Sequence, residues 1–189
     1  MAPVGQDFRM FLLAAPVLFA AAIGLARGGW PELRIHWWPI ALIALAIQVP
    51  LYTLPIGDSP FRDVVGPAGT IITTALILLV LLRNATGNVR LATLAVASGV
   101  ALNLLVIVAN GGFMPRDEAR APRAITHPPS AINNTTAANS DTRLAWLGDT
   151  LAQPAWLPQA DLISPGDVLL SLGAAAWLLA ATRRRTVGA

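Results

Sequence analysis

Five apolar stretches, each of membrane-spanning length, dominate this chain, and none carries an Asp, Glu, Lys, Arg or His away from its ends. They run from about Met10 to Ala26, Trp38 to Leu54, Val64 to Leu82, Leu91 to Ala109 and Asp167 to Thr182. A hydrocarbon core of about 30 Å takes roughly 20 helical residues, and flanking Trp and Arg side chains extend a shorter stretch at the interfaces. Lipid offers the backbone no hydrogen bonds, so each stretch must satisfy its own amides as a helix. The reading is an all-α membrane protein: one domain over residues 1–189, five transmembrane helices, and a long structured extracytoplasmic loop, residues 114–165, between the fourth and fifth. With 55% hydrophobic and only 12% charged residues, the chain has too few polar side chains to clothe a water-facing surface. That excludes a soluble enzyme and a disordered protein. The absence of Cys excludes disulfides, thiolate metal sites and a Cys nucleophile.

All 13 basic residues are arginines, and only Arg183, Arg184 and Arg185 are contiguous. The others lie singly at the ends of apolar stretches or in the long loop. This is the distribution of topology determinants rather than of a phosphate-binding stripe, so no nucleic-acid partner is expected. With the N-terminus outside, the inner side holds Arg27, Arg34, Arg83, Arg90 and Arg183 to Arg185, against Arg9 and Arg62 in the short outer segments. The seven-to-two bias predicts N-out and C-in, in the bacterial inner (cytoplasmic) membrane. Ala26-Arg27-Gly28-Gly29 is no small-x-small cleavage site, so the first stretch reads as a retained helix.

The stretches end on recognisable chemistry. Ser164-Pro165-Gly166-Asp167 spells a capping box with Pro tolerated at the first helical position. Asp58-Ser59-Pro60 favours entry into the third helix. Asn110-Gly111-Gly112 predicts a C-terminal cap with positive φ, after which Met114-Pro115 stops any continuation. Trp30, His36, Trp37 and Trp38 cluster at the inner end of the second helix and read as an aromatic belt. Small residues form packing faces: Ala20, Gly24 and Gly28 on the first helix, Gly66, Thr70, Thr73 and Thr74 on the third, and Ser171, Ala174 and Ala175 on the fifth.

Few residues are left for chemistry. Gln48 in the second helix and Asn103 and Asn110 in the fourth are the polar candidates, and the two asparagines share a face of the fourth helix with Ala92, Val96 and Gly99. An interhelical hydrogen bond is the favoured reading over solute binding. In the loop, residues 115–140 read as irregular, and Asp141 to Leu151 as a short helix. That helix would be capped by Asp141, with Leu144, Leu147 and Leu151 on one stripe and Asp149 pointing away. His36 and His127 fall on opposite sides of the predicted membrane, which excludes joint ligation of a haem or zinc. No cofactor or metal is expected, and axial ligation of a pigment by His36 is the one conceivable exception.

Several segments together point to one family: Arg34-Ile35-His36-Trp37-Trp38, Asn103 through Asn110-Gly111-Gly112-Phe113-Met114-Pro115, Thr142 through Gly148-Asp149, and Ser164 through Leu170. In this order they make the chain resemble an uncharacterised bacterial integral membrane family, the domain of unknown function DUF5317. The resemblance covers nearly the whole chain. It implies a fold type and no activity, and it directs attention to the outer face, where the candidate functional or interaction positions are Asn103, Asn110, Gly111, Gly112, Met114, Pro115, His127, Asp149 and Asp167. No catalytic or carrier constellation accompanies them. The expected role is a non-enzymatic accessory or structural subunit of a larger membrane complex (bioenergetic, photosynthetic or secretory), with the lipid bilayer and other membrane subunits as partners. The alternatives are a small-solute permease or channel lined by Gln48, Asn103 and Asn110, and a membrane-surface enzyme using His127, Asp149 and Asp167.

Overall fold

A computed structural model describes residues 11–26, 35–53, 60–121, 134–154, 156 and 161–182. Among these residues are five α-helices: α1 (Phe11–Ala26), α2 (Trp38–Thr53), α3 (Pro60–Arg83), α4 (Arg90–Ala109) and α5 (Pro165–Ala181). Each coincides with one of the apolar stretches, and α3 begins four residues before the expected Val64, at Pro60, a residue suited to a helix's first turn. Two helical segments are long and apolar enough to cross a membrane: Val64–Arg83, and Gly87–Ala109, which contains α4. The other three are shorter apolar helices. At 1.5 Å per residue, the 16 residues of α1 or α2 extend only about 24 Å, less than a hydrocarbon core of about 30 Å.

In space the helices adjoin in the order α2, α3, α4, α5, α1. Small residues set the separations. A Cβ on Gly99 of α4 would lie 2.5 Å from the Gly166 carbonyl oxygen and 2.8 Å from the Leu170 amide nitrogen, and one on Gly173 would lie 2.7 Å from the Val96 nitrogen. The backbones of α4 and α5 therefore touch along this seam, and dispersion between closely packed main chains replaces interdigitated large side chains. Gly24 packs against the Thr182 side chain, bringing the C-terminal ends of α1 and α5 together, so those two helices run parallel. Asn88 donates to the Ala180 carbonyl (3.0 Å), placing the start of α4 beside the end of α5. At the same end, Asn84 after α3 accepts from the His36 amide (2.8 Å) and donates to the His36 carbonyl (2.9 Å) just before α2. Consecutive helices thus alternate in direction from α2 to α5. The Arg83 guanidinium lies 6.0 Å from the centre of the Trp37 ring, a cation–π contact at this end.

Many of the residues that the helices bury are small, and many of their large side chains are exposed. Ala20, Ala44, Ala97, Ala175, Thr70, Thr73 and Ser171 are buried, whereas Phe19 is 70% exposed and Leu91 81%. Ile43 and Ile47 on α2, Ile72 and Leu79 on α3, Leu105 on α4 and Leu172 on α5 also face outward. A water-soluble bundle has the opposite distribution, with its large apolar side chains inside.

The long connection between α4 and α5 folds into a cap. Strand β1 (Met114–Arg116) pairs in parallel with β2 (Thr135–Ala137), and β3 (Leu151–Ala152) pairs antiparallel with β4 (Leu162–Ile163). Val106, Ile107, Met114 and Leu147 form a buried cluster joined by Ile71, Leu102 and Leu144, where the end of α4 meets the cap. Two expectations about this segment are corrected. The stretch 115–140 is not irregular throughout, because Pro115 and Arg116 of β1 and all of β2 lie within it. The helix expected over Asp141–Leu151 does not form. The Asp141 amide instead donates to Asn139 Oδ1 (2.9 Å), and the Asn139 amide donates to Thr142 Oγ1 (2.8 Å), a local turn that competes with helix initiation. Leu144 takes a left-handed φ of 52°, and only Ala145–Leu147 make a single 3-10 turn. Leu147 is buried and Leu151 exposed, so the apolar stripe is split between two environments.

Candidate functional site

The candidate positions converge where α4 ends and α5 begins. Ser164 accepts from the Asp167 amide (3.0 Å) and Asp167 Oδ2 accepts from the Ser164 amide (3.0 Å), completing the capping box that the sequence spells. Asn103 reaches this box from α4. Its Nδ2 donates to Asp167 Oδ1 (2.8 Å), and its Oδ1 accepts from the Ser164 hydroxyl (2.9 Å). Both Asp167 oxygens are engaged, and the carboxylate sits at a helix N-terminus, where the free amides and the macrodipole favour negative charge.

About two turns beyond Asn103, α4 stops by a Schellman motif. The Gly112 amide donates to the Ile107 carbonyl (2.8 Å) and the Gly111 amide to Val108 (3.3 Å), with φ of +69° at Gly111 and +101° at Gly112. Gly112 also packs flush against Pro67 of α3, leaving no room for a side chain. Asn110, the C-cap residue, grips the cap: its Oδ1 accepts from the Arg143 amide (3.0 Å), and its Nδ2 donates to the Arg143 carbonyl (2.9 Å). The two asparagines therefore serve separate partners, Asn103 the start of α5 and Asn110 the loop at Arg143. Gln48 lies on α2, which packs against α3.

Met114 is buried in the apolar cluster, and Pro115 is fully buried beside it. The Pro115 carbonyl accepts from the Asp149 amide (2.8 Å), and the Asp149 carbonyl accepts from the Asp117 amide (3.0 Å), a parallel bridge that stitches Asp149 to β1. Asp149 is thus held inward against the strand, contrary to the expectation that it points away. Its carboxyl is partly buried and pushed up to about 7, first by desolvation and next by the negative charge of Asp167, with a further push from Asp161 and an opposing pull from Arg116. A carboxyl with its proton affinity near neutrality has the protonation balance required of an acid or base. His127 lies outside the described residues, so no partner from that position is assigned. His36 sits just before α2 with its backbone bound to Asn84, and its ring is at the end of the bundle opposite Asp149 and Asp167. Among the described residues, no group of three or more His, Cys, Asp or Glu is placed to hold a metal ion.

Sequence reasoning passed over the most buried charge in the cap. Arg116 is 4% exposed and forms an ion pair through Nη2 with the buried Asp161, while its Nε lies 3.0 Å from Glu118 Oε1. Burial works against its charge, but Asp161, Glu118 and Asp149 more than compensate, and the guanidinium pKa is raised. Arg116 and Asp161 are far apart in the chain, and no local spacing marks them as partners. Gln153 joins the same knot, its main-chain N–H donating to the Asp161 carbonyl (2.9 Å).

No curated protein and no solved structure matches the chain. Residues 32–179 match the family of unknown function DUF5317, a span that takes in α2, α3, α4, the cap and nearly all of α5, and the chain belongs to that family.

Proposed function

We infer that the protein is a multi-pass membrane protein of the bacterial cytoplasmic membrane, with all five helices crossing, N-out and C-in, and that it is a non-enzymatic accessory subunit of a larger membrane complex. One observation carries the reading. The polar side chains of the α4–α5 seam are consumed in bonds within the chain, while large apolar side chains on every helix face outward. The alternating helix directions support the orientation. Arg83 and Arg90 lie at the bundle end that also holds the last turns of α1 and α5, and the cap lies at the other end. Short helices fit a bilayer by local thinning and by interfacial anchors such as Trp37 and Trp38, which are half exposed at that arginine-bearing end. In the cap, Trp146 and Trp156 are exposed in the same manner.

A permease lined by Gln48, Asn103 and Asn110 has less support, because both asparagines are bound to protein groups on different elements. Asp149, with its proton held near neutrality, favours a second reading, acid–base chemistry at the membrane surface. Against it stands Asp167, whose two oxygens are committed to the helix cap. Purification in a mild detergent tests the subunit reading: a stoichiometric partner is expected to copurify, and a chain that migrates alone counts against it.

A further inference from the structure

At the bundle end away from the cap, α3 stops on Arg83 and α4 starts on Arg90, on either side of one short turn, and both residues are exposed. Among the described residues neither forms an ion pair. Every described Asp and Glu lies instead in the cap or in the first turn of α3 or α5. The Asn84 side chain grips the His36 main chain from both sides and also donates to the Val80 carbonyl (2.7 Å), which fixes the start of α2 against the end of α3. Trp37, the next residue, takes a left-handed φ of 63°, a costly conformation for so bulky a side chain. The Arg83 guanidinium lies over its ring, 6.0 Å from the centre. A ring engages the face of a guanidinium and leaves the in-plane N–H donors unused. Leu82, Leu91 and Trp38 adjoin these residues in the chain and are exposed as well, so apolar surface borders the two cations.

We propose that Arg83 and Arg90, with Trp37 as the platform for Arg83, form a binding site for the phosphodiester of an anionic phospholipid. The site rests on the reading of the chain as a membrane protein whose α3 and α4 cross the bilayer, and it deepens that reading by naming a lipid class. Arg83 offers in-plane donors in a fork that matches two phosphate oxygens, and Arg90 adds a second positive charge from across the turn. The apolar border decides between two sources of the phosphate. Free inorganic phosphate has nothing to cover Leu82, Leu91 or Trp38, whereas a phospholipid lays its acyl chains on them as its headgroup meets the arginines. Charge then selects among lipids: a zwitterionic headgroup carries a cation that needs a carboxylate, and no described carboxylate lies at this end. The sequence strengthens the bias with Arg27 directly after α1 and Arg183 to Arg185 directly after Thr182, against Glu32 as the one acid in the same connecting segments. The packing of Gly24 on Thr182 brings those two helix ends together.

Electron spin resonance of spin-labelled lipids tests the site on the full-length protein reconstituted in phosphatidylcholine bilayers. Labelled phosphatidylglycerol is expected to associate about tenfold more tightly than labelled phosphatidylcholine at low salt, and the preference should shrink as salt is added. Combining Arg83→Gln with Arg90→Gln should reduce the preference to about twofold. Trp37→Leu keeps both charges and should still weaken it by about two- to threefold, because the platform is gone. Arg120→Gln removes an exposed arginine at the cap end and should leave the preference at the wild-type level. A double variant that keeps the wild-type preference, or an Arg120→Gln variant that loses as much, overturns the site. If the double variant does not fold, Arg90→Gln alone decides, and an unchanged preference there overturns it. Displacement of the labelled lipid by inorganic phosphate, with chloride matched in ionic strength as the control, would assign the arginines to free phosphate and overturn the lipid. Carbonate extraction separates the two readings: protein in the supernatant overturns the membrane reading and the site with it, whereas protein that stays in the membrane but binds both lipids equally overturns the site alone.

Discussion

Asn103 of α4 and Asp167 of α5 share a 2.8 Å hydrogen bond, and the same Asn103 side chain accepts from Ser164, so one amide holds both halves of the capping box that starts α5. The contact sits directly above the glycine seam, where Gly166 packs against the Asn103 side chain too tightly to carry a Cβ. Helix approach and helix capping are thus one arrangement. Small residues bring the backbones together, and their closeness lets a short amide reach across.

Replacing Asn103 with Leu removes both bonds and leaves the Ser164 hydroxyl and Asp167 Oδ1 facing an apolar side chain. A loss of about 1–3 kcal/mol is expected, from the lost bonds together with the desolvation of groups left unpaired. Unfolding of the purified protein in detergent, monitored by circular dichroism, checks the magnitude. Stability equal to wild type would mean that Asn103 does not hold the helix pair.

Gly99 and Gly111 are both glycines, for different reasons, and should respond differently to Ala. At Gly99 the new Cβ meets the backbone of Gly166 and Leu170, which cannot turn aside, so the helices must separate at a cost of about 1–3 kcal/mol. At Gly111 nothing lies within 4 Å, and only the strain of φ +69° remains, about 1 kcal/mol. Thermal melts of the two variants should rank Gly99→Ala as the less stable. The opposite order would place the close approach elsewhere.

Arg116→Met leaves Asp161 buried without its cation, and breaking one side of a buried pair costs about 3–5 kcal/mol. Adding Asp161→Asn to Arg116→Met should restore part of the loss, because the uncompensated charge is then gone. Susceptibility of the cap to limited proteolysis, measured for both single variants and the double, gives the coupling. Additive effects would show that the two residues act independently.

The Asn110 side chain ties the cap to α4 through Arg143, whereas the Schellman bonds of Gly111 and Gly112 are main-chain. Asn110→Ala should therefore speed hydrogen exchange at the Arg143 amide by about ten- to thirtyfold, equivalent to about 1.4–2 kcal/mol, while the Gly112 amide stays protected. Equal deprotection of both amides would mean that the side chain also holds the helix terminus.

Most features that depend on near neighbours in the chain are legible in the residues themselves. The five helices follow from uninterrupted apolar runs. The capping box follows from Ser164 and Asp167 three residues apart, and the α4 terminus from Asn110-Gly111-Gly112, since caps and positive φ are local stereochemistry. Even the interhelical role of Asn103 was legible, because an amide in an apolar helix needs a partner on another helix. The cap, by contrast, is set by contacts between segments distant in the chain. The amphipathic spacing from Asp141 to Leu151 suits a helix, but the turn bonds of Asn139 and the pairing of Asp149 with β1 outweigh so short a helical run, which is unstable alone. The Arg116–Asp161 pair and the inward placement of Asp149 join positions with no periodic relation, brought together by parallel strand pairing and by chain paths that local patterns do not encode. The charges that set the Asp149 proton affinity come from three separate segments, and so this property belongs to the folded cap alone.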